Sequence, residues 1–204
     1  MTAASQRRTS RASTLPVKII GIDPGTMVTG WGVVEAVGSS LSHVAHGTIA
    51  TAGAKGQGER LSRIYHGIQQ VIESHRPDGV SLERVFFARN AQSALKLGQA
   101  RGVALLAAAH SGMAVHEYAA TEIKVAVVGY GQATKDQVQS MVAALLKLSG
   151  EMALDASDAL AAAICHLHRQ CFQSLILGAA PDCRPALRER RSPSASLKKF
   201  VGRV

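Results

Sequence analysis

The sequence predicts one α/β domain, a mixed five-stranded sheet flanked by helices, with a basic segment at each end. Three observations carry the expectation. Stretches of strand character and helical periodicity alternate from residue 17 to residue 172. Hydrophobic residues make up 47% of the chain but aromatics only 4%, so the core is drawn from Val, Ile, Leu and Ala. A length of 204 residues suits a single core with some tail.

Val17 to Ile22 is an almost unbroken apolar run, the pattern of a central strand buried on both faces. Residues 28–37 and 41–50 lean towards strand and are separated by Gly38-Ser39-Ser40, which predicts a hairpin or meander. Leu61, Ile64, Tyr65, Ile68, Val71 and Ile72 recur at helical spacing, and Pro77 stops that helix. Val80-Ser81-Leu82 reads as a short strand, residues 92–110 as a helix and 114–118 as a further strand. Thr134 and Gln137 form a capping box ahead of Val138, Met141, Val142, Leu145 and Leu148 on one face. A last helix is expected from about Asp155 to about Cys171. The expected order is therefore βββ-α-β-α-β-α-α.

Charge divides the chain in three. Residues 1–18 carry Arg7, Arg8, Arg11 and Lys18 with no acid, a net of +4; residues 169–204 have a net of +6; the middle has a net of −1. Residues 1–16 are Ser-, Thr-, Ala- and Arg-rich and predict a disordered basic arm, with a mitochondrial transit peptide as the compositional alternative. Residues 173–204 predict a basic, flexible tail, leaving 17–172 as the folded domain. The total of +9 points to nucleic acid or another anionic surface. No apolar run is long enough to span a bilayer, and no secretory signal is expected. Cys165, Cys171 and Cys183 are an odd number, which favours a reducing cytoplasm over a disulfide framework. His166 and His168 point about 200° apart on a helix, so with Cys165 and Cys171 they make no zinc site.

The chemistry lies in the acids of the middle. Asp23 ends the first strand within Gly21-Ile22-Asp23-Pro24-Gly25-Thr26, Glu83 ends the short strand, and Asp155 and Asp158 open the last helix on one face. Strand ends on one sheet edge, with a helix N-terminus beside them, bring four carboxylates together. Such a cluster repels itself and must bind protons or cations. Oxygen donors alone favour Mg²⁺ or Mn²⁺, and two such ions about 4 Å apart are a device for in-line displacement at phosphorus. Each acid also has an ordinary explanation. Asp23 suits a turn before Pro-Gly, Asp155 and Asp158 suit N-cap and N3 positions, and Glu83 suits a surface.

GIDPGT followed by TGWG and VVE, LERVFFARNAQSALKLGQARG (82–102), VVGYGQATKDQV (127–138) and LDASDALAAAICHLH (154–168) resemble, in order, the RuvC family of Holliday-junction resolvases. The likeness covers residues 17–168, and the 21-residue block at 82–102 is its most specific part. It implies a ribonuclease H-like fold and a structure-selective DNA endonuclease that resolves four-way junctions by paired, symmetric cuts in recombination and repair. The family's metal-binding carboxylates match Asp23, Glu83, Asp155 and Asp158. The implied cofactor is Mg²⁺, two per active site, with Mn²⁺ as substitute. Phe86 matches a wedge that stacks on bases at the junction centre, and Lys124 and Lys135 match phosphate-contacting bases. Arg89, with Arg84, Lys96 and Arg101, extends a local basic surface.

The implied partners are four-way junction DNA and a second copy of the chain, with no membrane. A branch-migration motor complex is left open as a partner, and the expected location is the cytoplasm, with the bacterial nucleoid. Ala91, Ala94, Gly98, Gly102, Leu105 and Ala109 form a small-residue stripe that serves either core packing or a dimer interface. Three rival readings fit less well. An actin–hexokinase-type kinase also opens on a GIDxGT-like loop but needs two such domains. A catalytically idle junction-binding module has no need of four intact acids. Another ribonuclease H-like nuclease lacks a reason for the block around Phe86.

Overall fold

The computed structural model describes residues 15–84 and 91–176. Its elements are β1 (Val17–Asp23), β2 (Val28–Val37), β3 (Ser40–Ala50), α1 (Gln57–His75), β4 (Gly79–Arg84), α2 (Ala91–His110), β5 (Ala114–Ala119), α3 (Ala120–Val128), α4 (Lys135–Leu146) and α5 (Leu154–Ile176). The strands form one mixed sheet in the order β3-β2-β1-β4-β5. The meander β1-β2-β3 is antiparallel, whereas β4 and β5 run parallel to β1. The five-stranded α/β expectation holds.

Both faces of the sheet are covered, and the strand alternation sorts residues between them. Ile20, Ile22, Val33, Val80 and Leu82 pack with Ile64 and Ile68 of α1 and with Ala100 and Ala104 of α2. Val17, Ile19, Val34 and Ala36 pack on the other side with Leu160, Ile164, Val142 and Ile123 from α5, α4 and α3. β1 is therefore buried on both sides, as its almost unbroken apolar run requires.

Three glycines let α5 lie directly on the strands. A Cβ on Gly21 would sit 1.8 Å from the Ala159 carbonyl oxygen, one on Gly30 would sit 1.9 Å from that of Asp155, and one on Gly32 would sit 2.5 Å from Leu160 Cγ. Gly21 and Gly32 are register partners, as are Asp23 and Gly30. The helix's own small residues, Ala156, Ala159 and Ala163, are fully buried. This contact fixes where the first turn of α5 begins.

α3 is absent from the order expected from sequence. Its segment is rich in β-branched Ile123, Val125, Val127 and Val128, which hold little helix preference. Tertiary packing of Ile123 and Val127 decides it, with the Glu122 carboxylate accepting the Ala119 N–H at 2.8 Å. The Thr134–Gln137 capping box is present, but the buried face of α4 is Val138, Val142 and Leu146, and Met141 is exposed. α1 stops at His75, with Arg76 before Pro77 in the left-handed region at φ 48°. α5 begins at Leu154, so Asp155 and Asp158 stand inside the helix, two positions later than N-cap and N3.

Candidate active site

Strand parity and register bring the four acids to one edge. Asp23 shares the face of Val17, Ile19 and Gly21, the side on which α5 packs. On the neighbouring strand Ser81 donates its hydroxyl to the Ala162 carbonyl of α5 at 2.7 Å, so Glu83, two residues on, faces α5 too. Ile22 pairs with Leu82, which sets Asp23 beside Glu83 at the ends of two parallel strands. Asp155 lies over Gly30, the register partner of Asp23, and Asp158 follows on the same helix face.

The electrostatics record this convergence. Burial, and then the charges of Asp158, Glu83 and Asp155, push the Asp23 carboxyl up to about 7 from its ordinary 3.8. Glu83 is raised by burial and then by Asp158. Lys135, the first residue of α4, donates to Asp158 Oδ2 at 2.8 Å and lowers both Asp23 and Glu83. Its own ammonium is held above the usual lysine range by the Asp158 hydrogen bond and charge. Lys124, on α3, lowers Glu83 as well. The two lysines singled out by resemblance thus stand at the acid edge.

Among the described residues no three His, Cys, Asp or Glu side chains are gathered closely enough to enclose a metal ion. The edge nevertheless fits one. Its donors are all carboxylate oxygens, burial and neighbouring acids disfavour the charges of Asp23 and Glu83, and the Lys135 ammonium is already bound at Asp158. A hard divalent cation suits such a donor set.

Phe86 and Arg89 fall outside the described residues. Arg84 and Arg101 do not extend an open basic surface. Arg84 donates to Glu122 Oε2 at 2.7 Å, and Arg101 is ion-paired with Glu117. Lys96 is exposed. The C-terminal histidines turn apart: His166 Nδ1 is 2.7 Å from the Tyr118 hydroxyl, and His168 Nδ1 is 2.9 Å from the Ala126 carbonyl.

Sequence reasoning passed over Glu122. It caps α3, binds Arg84 beside Glu83 and binds Arg169 of α5 at 2.6 Å, so it ties together the elements that carry Glu83, Lys124 and Asp158. A lone Glu in a Val-rich segment gave no signal. The seat of α5 has a signal that the sequence analysis did not use, the glycine alternation of Thr29-Gly30-Trp31-Gly32, because two glycines at period two leave a strand face bare for a helix.

The family model for the crossover junction endodeoxyribonuclease RuvC matches residues 19–166. The chain is 49% identical over 160 residues to the crossover junction endodeoxyribonuclease RuvC of Geobacter sulfurreducens, covering 78% of this chain and 98% of that one. It is 47% identical over 176 residues to the protein of the same name from Cupriavidus metallidurans, covering 86% and 97%. The structure of T. thermophilus RuvC in complex with a Holliday junction substrate superimposes with a TM-score of 0.73 at 32% identity, covering 78% of this chain and 97% of that one. The yeast mitochondrial Holliday junction resolvase Ydc2 shares the fold, with a TM-score of 0.55 at 11% identity. With the acid edge, the full set of motifs and these likenesses in agreement, the chain belongs to the RuvC family of crossover junction endodeoxyribonucleases.

Proposed function

We propose that this chain resolves four-way DNA junctions by hydrolysing one phosphodiester in each of two opposed strands. The observation that carries the reading is the convergence of Asp23, Glu83, Asp155 and Asp158 on one sheet edge of a RuvC-family chain. Asp23 and Glu83 project from two strand ends fixed by parallel pairing, and Asp155 and Asp158 from the start of a helix seated on bare glycines. These four are the proposed ligands of divalent cations, Mg²⁺ with two ions per site and Mn²⁺ as substitute. Bound there, the cations supply a water of lowered pKa and charge neutralisation at the leaving 3′ oxygen. Lys135 orients Asp158, and with Lys124 it offers positive charge to a phosphate drawn towards four acids. Phe86 is the proposed wedge at the junction centre. Products would carry 5′ phosphate and 3′ hydroxyl ends.

Two cuts in opposed strands require two sites, and a two-fold dimer supplies them. The small-residue stripe of α2 supports that assembly. Ala91, Ala94, Gly98, Gly102 and Ala109 are exposed, whereas Leu105 of the same stripe packs against the core; Leu95 and Leu106 beside them are 65% and 48% exposed. Gly102→Glu should convert a dimer into a monomer in gel filtration.

The reading is tested by incubating the protein with a mobile four-way junction and Mg²⁺, beside duplex and RNA–DNA hybrid controls. Symmetric nicking of the junction alone is expected. Cleavage of the hybrid in preference to the junction would establish a ribonuclease H activity instead.

A further inference from the structure

We propose that Arg60 is a phosphate-binding residue of the cutting edge, contacting the junction backbone from the α1 side of the sheet, opposite Lys124 and Lys135. This rests on the reading of the chain as a junction nuclease. α1 packs on the face away from α5, through Ile64 and Ile68. Arg60, one turn before Ile64, lies at the end of α1 nearest the acids. Its Nη1 is 2.9 Å from Met27 Sδ, in the connection that follows Asp23.

That connection is held firmly. Fully buried Thr51 donates its N–H to the Met27 carbonyl at 2.9 Å and its hydroxyl to the Thr26 carbonyl at 2.8 Å. Fully buried Thr29 donates its hydroxyl to the Gly25 carbonyl at 2.9 Å. The guanidinium thus stands beside an ordered Asp23 loop, with no acid among the described residues to neutralise it. Among the described arginines, Arg63 is paired with Glu59, Arg84 and Arg169 with Glu122, and Arg101 with Glu117. Arg60 has no carboxylate partner among the described residues. A guanidinium has five N–H donors and a thioether is a weak acceptor, so most of the fork remains for an anion. Planar bidentate donors match phosphate oxygens. A strand approaching four carboxylates gains most from cations on both flanks, and among the described residues the start of α1 and the segment before it also carry Lys55 and the Glu59-paired Arg63.

The test uses the full chain and a synthetic mobile four-way junction. Arg60→Ala and Arg60→Gln are compared with Arg60→Lys and with Arg76→Asn. The last removes the same charge about 24 Å away, at the other end of the helix, where asparagine tolerates the left-handed backbone. Junction affinity is measured against salt, and single-turnover cleavage in Mg²⁺ is measured at saturating protein. Arg60→Ala and Arg60→Gln should bind about tenfold more weakly, with a log–log salt slope shallower by about 0.9 per lost contact. Their saturated cleavage rate should stay within about twofold of wild type, Arg60→Lys should recover most of the affinity, and Arg76→Asn should match wild type.

Arg60→Gln keeps the apolar stem and carries the test if Arg60→Ala does not fold. Wild-type affinity and slope in Arg60→Gln, or a loss equal to that of Arg76→Asn, overturns the assignment. So does slower cleavage at unchanged affinity. A wild-type chain that neither binds nor cuts the junction would refute the nuclease reading itself, a result distinct from these.

Discussion

Replacing Asp23 by asparagine should stabilise the cation-free protein while greatly slowing cutting. Asp23 titrates at about 7 in the fold against an ordinary 3.8, roughly 3 units, and at about 1.36 kcal/mol per unit the upper bound is about 4 kcal/mol. Partial exposure and the shared repulsion with Asp158 and Glu83 reduce the expected gain to about 2 kcal/mol. The sign follows from proton binding. Between pH 4 and 7 the folded state holds the Asp23 proton more tightly than the unfolded state, so wild-type stability falls as pH rises through that window and is level above it. Asparagine is neutral throughout and lacks the fall. In chelator at pH 8 the variant should melt about 4–8 °C higher than wild type, and at pH 4 the two should coincide. Urea unfolding at both pH values measures the difference. Junction cleavage in Mg²⁺ should drop at least about a hundredfold, and added Mg²⁺ should stabilise wild type more than the variant. An Asp23→Asn protein no more stable than wild type at pH 8 without cations would refute the account of a self-repelling acid edge.

Three further expectations follow from particular contacts. Lys135→Met removes a charge that lowers both Asp23 and Glu83, so the pH–rate profile of cleavage should move to higher pH; an unmoved profile contradicts the coupling. Gly30→Ala places a Cβ 1.9 Å from the Asp155 carbonyl oxygen and should cost at least about 2 kcal/mol together with most of the cutting. Gly58→Ala, where a Cβ meets nothing, should be harmless, and equal behaviour of the two would be the contrary result. Removing residues 1–15 and 179–204 takes away +8 of the +9 net charge and should weaken plain duplex binding more than junction binding, with a shallower salt slope. An unchanged slope and junction-to-duplex ratio would leave the ends without a binding role.

Much of this molecule is written along the chain. The run Val17–Ile22, interrupted only by Lys18 near its start, specifies a strand buried on both faces because Ile19, Ile20, Gly21 and Ile22 leave both sides of its pleat apolar. The i,i+3/i+4 pattern from Ile64 to Ile72 and the Thr134 capping box define their helices for equally local reasons. Asp23 and Glu83 were legible as strand-end acids, and Asp155 and Asp158 as neighbours on one helix face. What the chain does not state locally is which groups meet across the sheet. α3 forms from a Val-rich segment because Ile123 and Val127 find a core and Glu122 finds Ala119, Arg84 and Arg169. Arg84 and Arg101 look like surface cations in sequence but are neutralised by acids 38 and 16 residues away. The acid edge depends on the register of Asp23 against Gly30 and on the bare glycine face that lets α5 descend onto it. Residue types and spacings follow from side-chain chemistry along one chain, whereas the approach of α5, the pairing of Lys135 with Asp158 and the shift of Asp23 to about 7 exist only once distant segments share one edge.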